Sequence, residues 1–465
     1  MRTKLPGPAR LIAKWILVLV MVIGGVAYGY LCGERKLPGY RVLRRAHVWG
    51  KQQTTVRRIY LLVTGRSEKQ QIKGPWHPVE SHIAPNDSIG HQYDELARLQ
   101  ALGYLSGYKT APKTVHVTVN IEELAYNGLN LYTSGHAAQA MLMNMRGEIL
   151  HRWAYTFADA FPGRPRPKGP ESWRWWSRAH LDVNGDLLAI YDGYGIIKID
   201  KDSNLIWATP GVFHHDLFVD EGGAIYCLTR KTRTLQGIHE YEPLVEDFIT
   251  ILDRHGNVVR NVSMLKAFDN SFYVPTINSI PKTGDLLHSN SIEILDGSHA
   301  ERSSAFKRGN VLVSLAAIDV IAIIDLEQEE VVWALTGQWN RQHDPAFLDN
   351  GNILLLDNLG HRGGSAVIEI DPLTQRVVWA YRGTRDNGFF TETFGTTQRL
   401  PNGNTLINES NSGRAFEVTS NNQIVWEFFN PARAGHNDEL IATLFEFQRL
   451  PAVFPTDWLA KPSRY

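Results

Sequence analysis

Cysteine and net charge are what this chain of 465 residues has least of. Its two cysteines, Cys32 and Cys227, lie far apart, so we expect neither a disulfide framework nor a cysteine-based zinc site. The 48 basic residues balance 48 acidic ones, and no basic stripe lies among aromatic residues, so we predict no nucleic acid partner. These absences disfavour small disulfide-rich domains and nucleic-acid-binding proteins.

Long apolar runs are nearly absent too, and the exception, Trp15 to Leu31, is about as long as a bilayer core requires. Four basic residues precede it: Arg2, Lys4, Arg10 and Lys14. By the positive-inside rule we predict a cytoplasmic amino terminus over residues 1–14, a transmembrane anchor over 15–33 and an exported body. The expected location is therefore the inner membrane, single-pass, with the main domain in the periplasm. Basic residues also follow the run, so a cleavable signal peptide is the alternative.

Residues 34–114 have the composition of a juxtamembrane spacer, basic at its start and rich in Pro, Gly and Ser later. One short helix is predicted inside it, because Asp94 and Glu95 precede leucines that recur three residues apart, at positions 96, 99, 102 and 105. We favour packing of this helix on the main domain, with a partner-binding helix as the alternative.

From residue 115 onward the chain repeats one unit, in which a turn and short apolar strands are followed by Val or Ile and then Trp. The turns contain glycine steps typical of strand connections, at 184–186, 221–223, 255–257, 350–352 and 402–404. The units end on Trp153, Trp207, Trp333, Trp379 and Trp426, with Val258-Val259 in the missing place. Six such units fit between residues 115 and 435, with a longer gap before Trp333 that can hold an insertion.

Short antiparallel strands, four to a unit and arranged radially, form a β-propeller. We therefore predict an all-β fold with a six-bladed β-propeller over residues 115–465. The stretch from Glu439 to Leu450 has room for a strand that closes the ring. A seven-bladed propeller is the nearest alternative.

Polar residues recur in one slot of several units, at or just before the first strand. His214-His215-Asp216 opens the third unit, His288 the fourth, Gln342-His343-Asp344 the fifth and Thr396-Thr397-Gln398 the sixth. Because equivalent slots of successive blades point at one axis, we expect these side chains to converge on the central channel. Each histidine taken alone is more commonly a solvated or turn-stabilising residue, so the shared slot is what favours a site.

Over roughly residues 115–450 the sequence resembles the bacterial arylsulfotransferase family. The stretches that carry the resemblance are Phe213-His-His-Asp-Leu, Leu287-His-Ser-Asn-Ser-Ile, Val331-Val-Trp-Ala-Leu-Thr-Gly, Arg341-Gln-His-Asp-Pro with Asn350-Gly-Asn-Ile-Leu-Leu-Leu-Asp-Asn, and Gln398-Arg-Leu-Pro-Asn-Gly-Asn-Thr-Leu-Ile. The resemblance implies transfer of a sulfuryl group from an aryl sulfate ester to a phenol through a sulfohistidine. No nucleotide sulfate donor is implied, and we predict no cofactor.

The resemblance also implies roles for individual residues. His343 matches the family nucleophile, and His288 matches a second active-site histidine that orients or stabilises the transferring group. The pair His214-His215 matches a third, with His215 favoured because it adjoins Asp216 and His214 left open. The residues predicted to bind substrate are Arg341, Asn290 and Asp344.

These roles agree with the chemistry of imidazole. A neutral imidazole is a competent nucleophile near neutral pH. A neighbouring histidine can give a proton to the leaving phenolate, and the anionic sulfuryl oxygens need fixed donors or positive charge.

The chain departs from the family at one position. The family has an Arg two residues after a Ser in a strand of the fourth blade, where it holds the sulfuryl oxygens. Here that strand reads Val313-Ser314-Leu315-Ala316, so the position is Ala316. Lys or His replaces a guanidinium poorly in binding an oxyanion. We therefore predict a transferase that is weak, altered in substrate choice or inactive, unless Arg341 compensates from the fifth blade.

Other functions stay open. Asp371-Pro-Leu-Thr374 with Trp379 resembles the docking motif of quinoprotein-like propellers, although the motif is clear only once and Asp325-Leu-Glu-Gln328 is a partial copy. A membrane-tethered propeller that binds a ligand without catalysis is favoured by the lost Arg. A divalent metal held by the three histidines is a further possibility.

Overall fold

The computed structural model describes residues 76–78, 113, 115–164, 172–233, 244–278, 284–360, 364–383, 388–435, 438 and 440–459, all within the compact unit formed by residues 72–465. The predicted anchor over 15–33 and the helix predicted near Asp94 lie outside these residues. Across the part of the chain that is described, no helix has the length and apolar character needed to cross a bilayer. The anchor, the spacer helix and the periplasmic location stay predictions.

Six antiparallel sheets in the described residues form the blades of a β-propeller, which confirms the predicted fold class and blade number. Blade 1 contains β3 (Leu129–Ser134), β4 (Gln139–Met143), β5 (Ile149–Ala154) and β29 (Leu444–Leu450); blade 2 contains β6 (Arg178–Leu181), β7 (Leu187–Tyr191), β8 (Gly195–Ile199) and β9 (Leu205–Pro210); blade 3 contains β10 (Phe213–Val219), β11 (Ile225–Arg233), β12 (Leu244–Leu252), β13 (Val258–Ser263) and β14 (Gly284–Asp285).

The other three blades follow the same plan. Blade 4 contains β15 (Ser289–Ile294), β16 (Val311–Leu315), β17 (Val320–Asp325) and β18 (Glu330–Thr336); blade 5 contains β19 (His343–Phe347), β20 (Ile353–Asp357), β21 (Ala366–Ile370) and β22 (Val377–Arg382); blade 6 contains β23 (Thr397–Arg399), β24 (Thr405–Glu409), β25 (Arg414–Val418), β26 (Ile424–Phe429) and β2 (His116–Asn120). The innermost strands are β29, β6, β10, β15, β19 and β23, and neighbouring ones contact each other, as β10 and β15 do.

Few described residues lie in other elements. A separate small sheet contains β1 (Trp76–Pro78), β27 (Arg433–Ala434) and β28 (Leu440–Ala442). The α-helices are α1 (Phe157–Ala160), α2 (Met264–Asp269) and α3 (Val274–Asn278), and 3-10 turns occur at Ser172–Arg174, Ser304–Phe306 and Ser410–Ser412. Helices α2 and α3 lie in the long gap before Trp333, so the insertion predicted there is confirmed.

Four of the terminal tryptophans of the repeat attach a blade to the next. They donate their indole Nε1–H to a backbone carbonyl in a turn of the following blade: Trp153 to Gly185 at 3.0 Å, Trp207 to Arg254 at 3.1 Å, Trp379 to Ser420 at 2.9 Å and Trp426 to Met145 at 2.9 Å. In the turn that receives Trp207, a glycine makes room for the ring. A Cβ at Gly256, where φ is +80°, would lie 2.6 Å from the Trp207 ring. At these four positions the repeated Trp is thus a repeated inter-blade contact.

The ring is closed by strands from both ends of the repeat region. The predicted closing strand is confirmed, because β29 pairs antiparallel with β3 as the innermost strand of blade 1. Strand β2, which was not predicted, pairs with β26 and adds a fifth strand to blade 6. Opening the propeller at blade 1 therefore requires breaking the ladder between β29 and β3.

Polar side chains of the innermost strands also bridge each blade to the next, and we call the set of four carboxylates among them the carboxylate ring: Asp216, Glu293, Asp344 and Glu446. Each accepts a hydrogen bond from a backbone N–H of the following blade: Asp216 from Ile292 at 2.9 Å, Glu293 from Phe347 at 3.0 Å, Asp344 from Thr397 at 2.7 Å and Glu446 from Ala179 at 2.6 Å. Two other bridges complete the circle: Arg178 Nε to Asp216 Oδ1 at 2.7 Å, and Gln398 to the Arg449 backbone at 2.8 and 2.9 Å.

Candidate active site

A cavity of about 510 Å³ opens where the innermost strands begin. Its lining brings together three of the four predicted catalytic histidines, His215, His288 and His343, from three different blades. The side chain of Phe394 stacks beside His215, with ring centres 5.8 Å apart and planes 23° apart. Leu359 adds a second apolar part of the wall. The shared slot in the sequence is thus one place in the structure.

The backbone at this cavity is unusual. His215, His288, Arg341 and Asp344 have positive φ angles of 55°, 51°, 57° and 53°, a region that residues other than glycine seldom adopt. The pairing register also shifts on the innermost strands β10, β15 and β19, at their first residues. Bulges of this kind re-aim side chains, and strained residues cluster at functional sites.

His343 is held by hydrogen bonds that decide which ring nitrogen carries its proton. Nδ1 lies 2.7 Å from Asn358 Oδ1 and 3.0 Å from the Arg341 carbonyl oxygen. The Asn358 amide is fixed, because its Nδ2 donates to the carbonyls of Thr391 and Phe394 at 2.9 and 2.8 Å. Nδ1 therefore faces two acceptors and carries the hydrogen, while Nε2 keeps its lone pair. Within the described residues, Nε2 has no hydrogen-bond partner.

The same surroundings keep His343 uncharged. Burial lowers its pKa to about 4, and the neighbouring charges of His288 and Arg341 act in the same direction, against the hydrogen bond to Asn358. At neutral pH the ring is therefore neutral, which is the form that acts as a nucleophile.

His288 is paired with a carboxylate. Its Nδ1 lies 2.6 Å from Asp285 Oδ2. Burial by itself would raise the pKa of Asp285, but the hydrogen bond from His288 and the charges of His288 and Arg230 hold that pKa below its usual range. A carboxylate only accepts, so Nδ1 of His288 carries a hydrogen and Nε2 is the nitrogen left for the cavity.

His215 lines the cavity, whereas His214 is completely buried behind it. The two rings share a contact of 2.9 Å between their Nδ1 atoms, and His214 Nε2 lies 3.4 Å from Asp247 Oδ1. Since the two Nδ1 atoms are within hydrogen-bond distance, one of them donates and the other accepts. Burial, followed by the neighbouring His214 and His288, holds the pKa of His215 well below its usual range.

Two arginines line the cavity from different blades. The side chain of Arg341, predicted to bind substrate, is exposed at the mouth of the cavity, and its backbone N–H donates to Asp319 Oδ1 at 2.7 Å. Arg230, in β11, was not predicted. Its side chain is 23% exposed, and its Nη2 lies 3.5 Å from His215 Nδ1. Ala316, where the family has its Arg, also lines the cavity and is 1% exposed.

Two residues predicted to bind substrate lie elsewhere. Asn290 is buried, and its Nδ2 donates to the Gln342 carbonyl at 2.9 Å, which holds the segment just before His343. Asp344 belongs to the carboxylate ring and faces a second cavity of about 350 Å³. Neither is among the described residues that line the histidine cavity.

Asn358 and Arg230 are the site residues that the sequence analysis missed. Asn358 follows the apolar strand β20, where an isolated Asn resembles an ordinary turn residue. Arg230 lies between Thr229 and Lys231 in a strand whose register cannot be read from the sequence. The two positions share no simple sequence signal, since Asn358 follows the polar residue Asp357 and Arg230 lies inside its strand.

The structure also shows the contacts of the quinoprotein-like motif. Asp371 Oδ1 accepts from the N–H groups of Leu373 and Thr374 at 2.9 and 3.0 Å, so the quinoprotein-like motif forms a turn. Its Trp379 is one of the inter-blade tryptophans. Among the residues that the structure describes, no group of three or more His, Cys, Asp or Glu is arranged to hold a metal ion.

Comparison with known proteins gives one result of weight. A family model described as arylsulfotransferase (ASST) matches residues 183–431, more than half of the chain. A search of curated proteins found no match. The matched segment contains the three cavity histidines, Arg230 and Asn358.

Solved structures give only distant likenesses. A protein of unknown function from Bacteroides caccae is 16% identical over 69% of this chain and 98% of its own, with a TM-score of 0.41. A streptogramin B lyase is 12% identical over 70% of this chain and 84% of its own, with a TM-score of 0.38. The WD40 β-propeller domain of Doa1 is 10% identical over 71% of this chain and 97% of its own, with a TM-score of 0.39. With TM-scores this low, these similarities support no conclusion about the function of this chain.

Proposed function

The chain belongs to the arylsulfotransferase family, and on that premise we propose that it transfers a sulfuryl group from an aryl sulfate ester to a phenol through a sulfohistidine formed on His343. The observation that carries the proposal is the pair of acceptors that faces Nδ1 of this residue. Asn358 and the Arg341 carbonyl hold the hydrogen on Nδ1, which leaves the Nε2 lone pair as the nucleophile.

In the first half-reaction, Nε2 of His343 attacks the sulfur of the ester. An N–S bond forms while the bond between sulfur and the aryl oxygen breaks, and the electron pair of that bond leaves with the oxygen. The leaving phenolate takes a proton from Nε2 of His288, whose Nδ1 contacts Asp285. The sulfuryl group remains on Nε2, while Nδ1–H continues to donate to Asn358.

In the second half-reaction, the acceptor phenol gives its proton back to His288, and its oxygen attacks the same sulfur. The N–S bond breaks, and its electron pair returns to Nε2. Protein, protons and charge are then as they were at the start, so no cofactor or further reactant is needed. The aromatic and apolar wall beside His215 suits an aryl ring in both steps.

Purified full-length protein incubated with 4-nitrophenyl sulfate and a second phenol tests this mechanism. We expect release of nitrophenolate, measured by absorbance, together with the sulfated second phenol. Mass spectrometry of protein treated with donor alone should find a sulfuryl group on the peptide that contains His343. His343→Ala should lower transfer roughly 10³-fold or more.

His255→Ala is the matched control, because His255 is an exposed turn residue of blade 3. It should transfer like the wild type. Absence of transfer by the wild-type protein, or full activity of His343→Ala, would overturn the mechanism.

A propeller that binds aryl sulfates without reacting with them is the second candidate, since Ala316 leaves blade 4 without the guanidinium of the family. It predicts calorimetric binding of the donor, equal in the wild type and in His343→Ala, with no sulfated peptide.

A further inference from the structure

We propose that Arg230 is the residue that binds the oxygens of the transferred sulfuryl group, so that in this chain the guanidinium comes from blade 3 and not from blade 4. The role of Arg230 in catalysis rests on the proposed function. Its role in binding an aryl-linked oxyanion can be measured separately, without any transfer. The assignment makes Arg230 a catalytic residue, and it gives a physical account of how the site tolerates Ala316.

The pairing of β16 with the innermost strand fixes the position of Ala316 in blade 4. Leu315 is the residue opposite Ser289, the first residue of β15. One residue later, the N–H of Ala316 donates to the carbonyl of His288, which directly precedes that strand, at 3.1 Å.

The pairing of β11 repeats this pattern in blade 3. Thr229 is the residue opposite Phe213, the first residue of β10. One residue later, the N–H of Arg230 donates to the carbonyl of Val212, which directly precedes that strand, at 3.1 Å. Arg230 and Ala316 therefore occupy equivalent positions of neighbouring blades, and both line the same cavity.

The guanidinium of Arg230 lies beside His215 and Asp285 and keeps a donor unused. Its Nη1 is 3.6 Å from Asp285 Oδ2, an oxygen that already receives a hydrogen bond of 2.6 Å from His288. Its Nη2 is 3.5 Å from His215 Nδ1, a distance longer than that of an ordinary hydrogen bond. Its Nε is buried without a hydrogen-bond partner.

This arrangement suits a trigonal oxyanion. A guanidinium offers parallel N–H donors that bind two oxygens at once, and in a site with little water such donors stabilise the charge spread over the transferring group. Arg341 also lines the cavity, but it is exposed to solvent. We therefore assign to Arg230 the binding of the sulfuryl oxygens as the sulfur moves from donor to His343 to acceptor.

The first test compares Arg230→Ala and Arg230→Lys with Lys231→Ala as the matched control, since Lys231 is the next residue of the same strand and is exposed. Two quantities are measured: transfer from an aryl sulfate, and calorimetric binding of 4-nitrobenzenesulfonate, whose sulfur cannot be transferred. We expect Arg230→Ala to transfer roughly 10²-fold more slowly and to bind the sulfonate at least about 10-fold more weakly. Arg230→Lys should recover only part of each, and Lys231→Ala should match the wild type.

The second test moves the guanidinium. In Arg230→Ala combined with Ala316→Arg, the new side chain starts from the equivalent position of blade 4, and recovery of sulfonate binding supports the assignment. If this double variant does not fold, Arg230→Lys, which keeps the charge and loses the paired donors, decides in its place.

Two results would overturn the assignment: sulfonate binding by Arg230→Ala equal to that of the wild type, or full recovery by Arg230→Lys. Slow transfer by Arg230→Ala together with intact sulfonate binding would make Arg230 a positioning residue for His288. If the wild type binds the sulfonate through Arg230 and transfers nothing, the binding assignment stands and the proposed transferase function fails.

Discussion

The histidine cavity and the carboxylate ring are built by the same innermost strands, but they use their polar groups in opposite ways. His215 and Asp216 are neighbours in β10, and His343 and Asp344 are neighbours in β19, yet the histidines line one cavity and the carboxylates face the other. Side chains alternate along a strand, so one short segment supplies both regions.

The two regions differ in how their polar groups are satisfied. Each carboxylate of the ring accepts a backbone N–H from the next blade, as Asp344 does from Thr397. The cavity groups instead keep a donor or a lone pair without a partner, as His343 Nε2 and Arg230 Nε do. Satisfied buried groups hold a structure together, and unsatisfied ones cost stability and are kept where a ligand uses them. The carboxylate ring therefore closes the propeller, and the histidine cavity is where the proposed transfer takes place.

The largest expected effect is the loss of stability on removing Arg178 from the carboxylate ring. Its guanidinium contacts Asp216 at 2.7 Å, Glu446 at 3.4 Å and Asp344 at 3.7 Å, so Arg178→Ala leaves buried carboxylates without their cation. We expect the free energy of unfolding in urea to fall by about 3–5 kcal/mol. Arg146→Ala, which breaks an exposed pair with Glu122, should change it by less than about 0.5 kcal/mol. Equal effects of the two variants would show that the ring does not stabilise the fold.

Removing the charge of Asp285 should act on the cavity alone. Asp285→Asn keeps the size of the side chain but removes the carboxylate that holds Nδ1 of His288, so transfer from a donor with a poor leaving group should fall roughly 10²-fold or more. Transfer from 4-nitrophenyl sulfate, whose leaving group needs less protonation, should fall much less. Thermal unfolding serves as the control and should change little. Equal losses with both donors would contradict a role of His288 as general acid.

The pH dependence of transfer tests the hydrogen bond that fixes His343. Because this residue acts in its neutral form and its pKa is about 4, kcat/KM should stay level as the pH falls and decline only near pH 4. Asn358→Asp places an ionised acceptor next to Nδ1, which favours the charged ring, so the decline should begin at a higher pH. A decline in the same place for both proteins would mean that His343 is not the group that titrates.

The pH dependence of stability tests the ring. Burial raises the pKa of Glu293 from 4.5 to about 8, so the folded state holds a proton that the unfolded state has lost. Its contribution to stability is complete below about pH 4.5 and is lost as the pH rises through about 8. The melting temperature of Glu293→Gln should therefore fall less over this range than that of the wild type. Parallel curves would show that Glu293 does not titrate in the folded protein.

Much of the fold could be predicted because its signals are local. The terminal tryptophan recurs in the sequence since its indole and the turn that receives it form one contact between blades, which is present at four of the six junctions. The histidines of the cavity could be placed by the same reasoning, because His215, His288 and His343 share a slot in their units.

The rest of the site depends on which way each side chain turns. Asn290 and Asp344 stand in the right slots, but Asn290 is bonded to Gln342 and Asp344 to the next blade. The register shifts at the first residues of β15 and β19 decide these directions, and a one-residue shift reverses the face of a side chain. Arg230 was missed for the same reason, since its equivalence to Ala316 exists only in the paired strands.

The sequence by itself determined the number of blades, the position of the closing strand and the convergence of histidines on one axis, because these follow from periodic, short-range patterns. Only the tertiary structure decided which nitrogen of His343 is free, that His214 lies behind His215, and that a guanidinium reaches the cavity from blade 3. Those features depend on hydrogen bonds between residues of different blades, and such contacts form only when the ring closes.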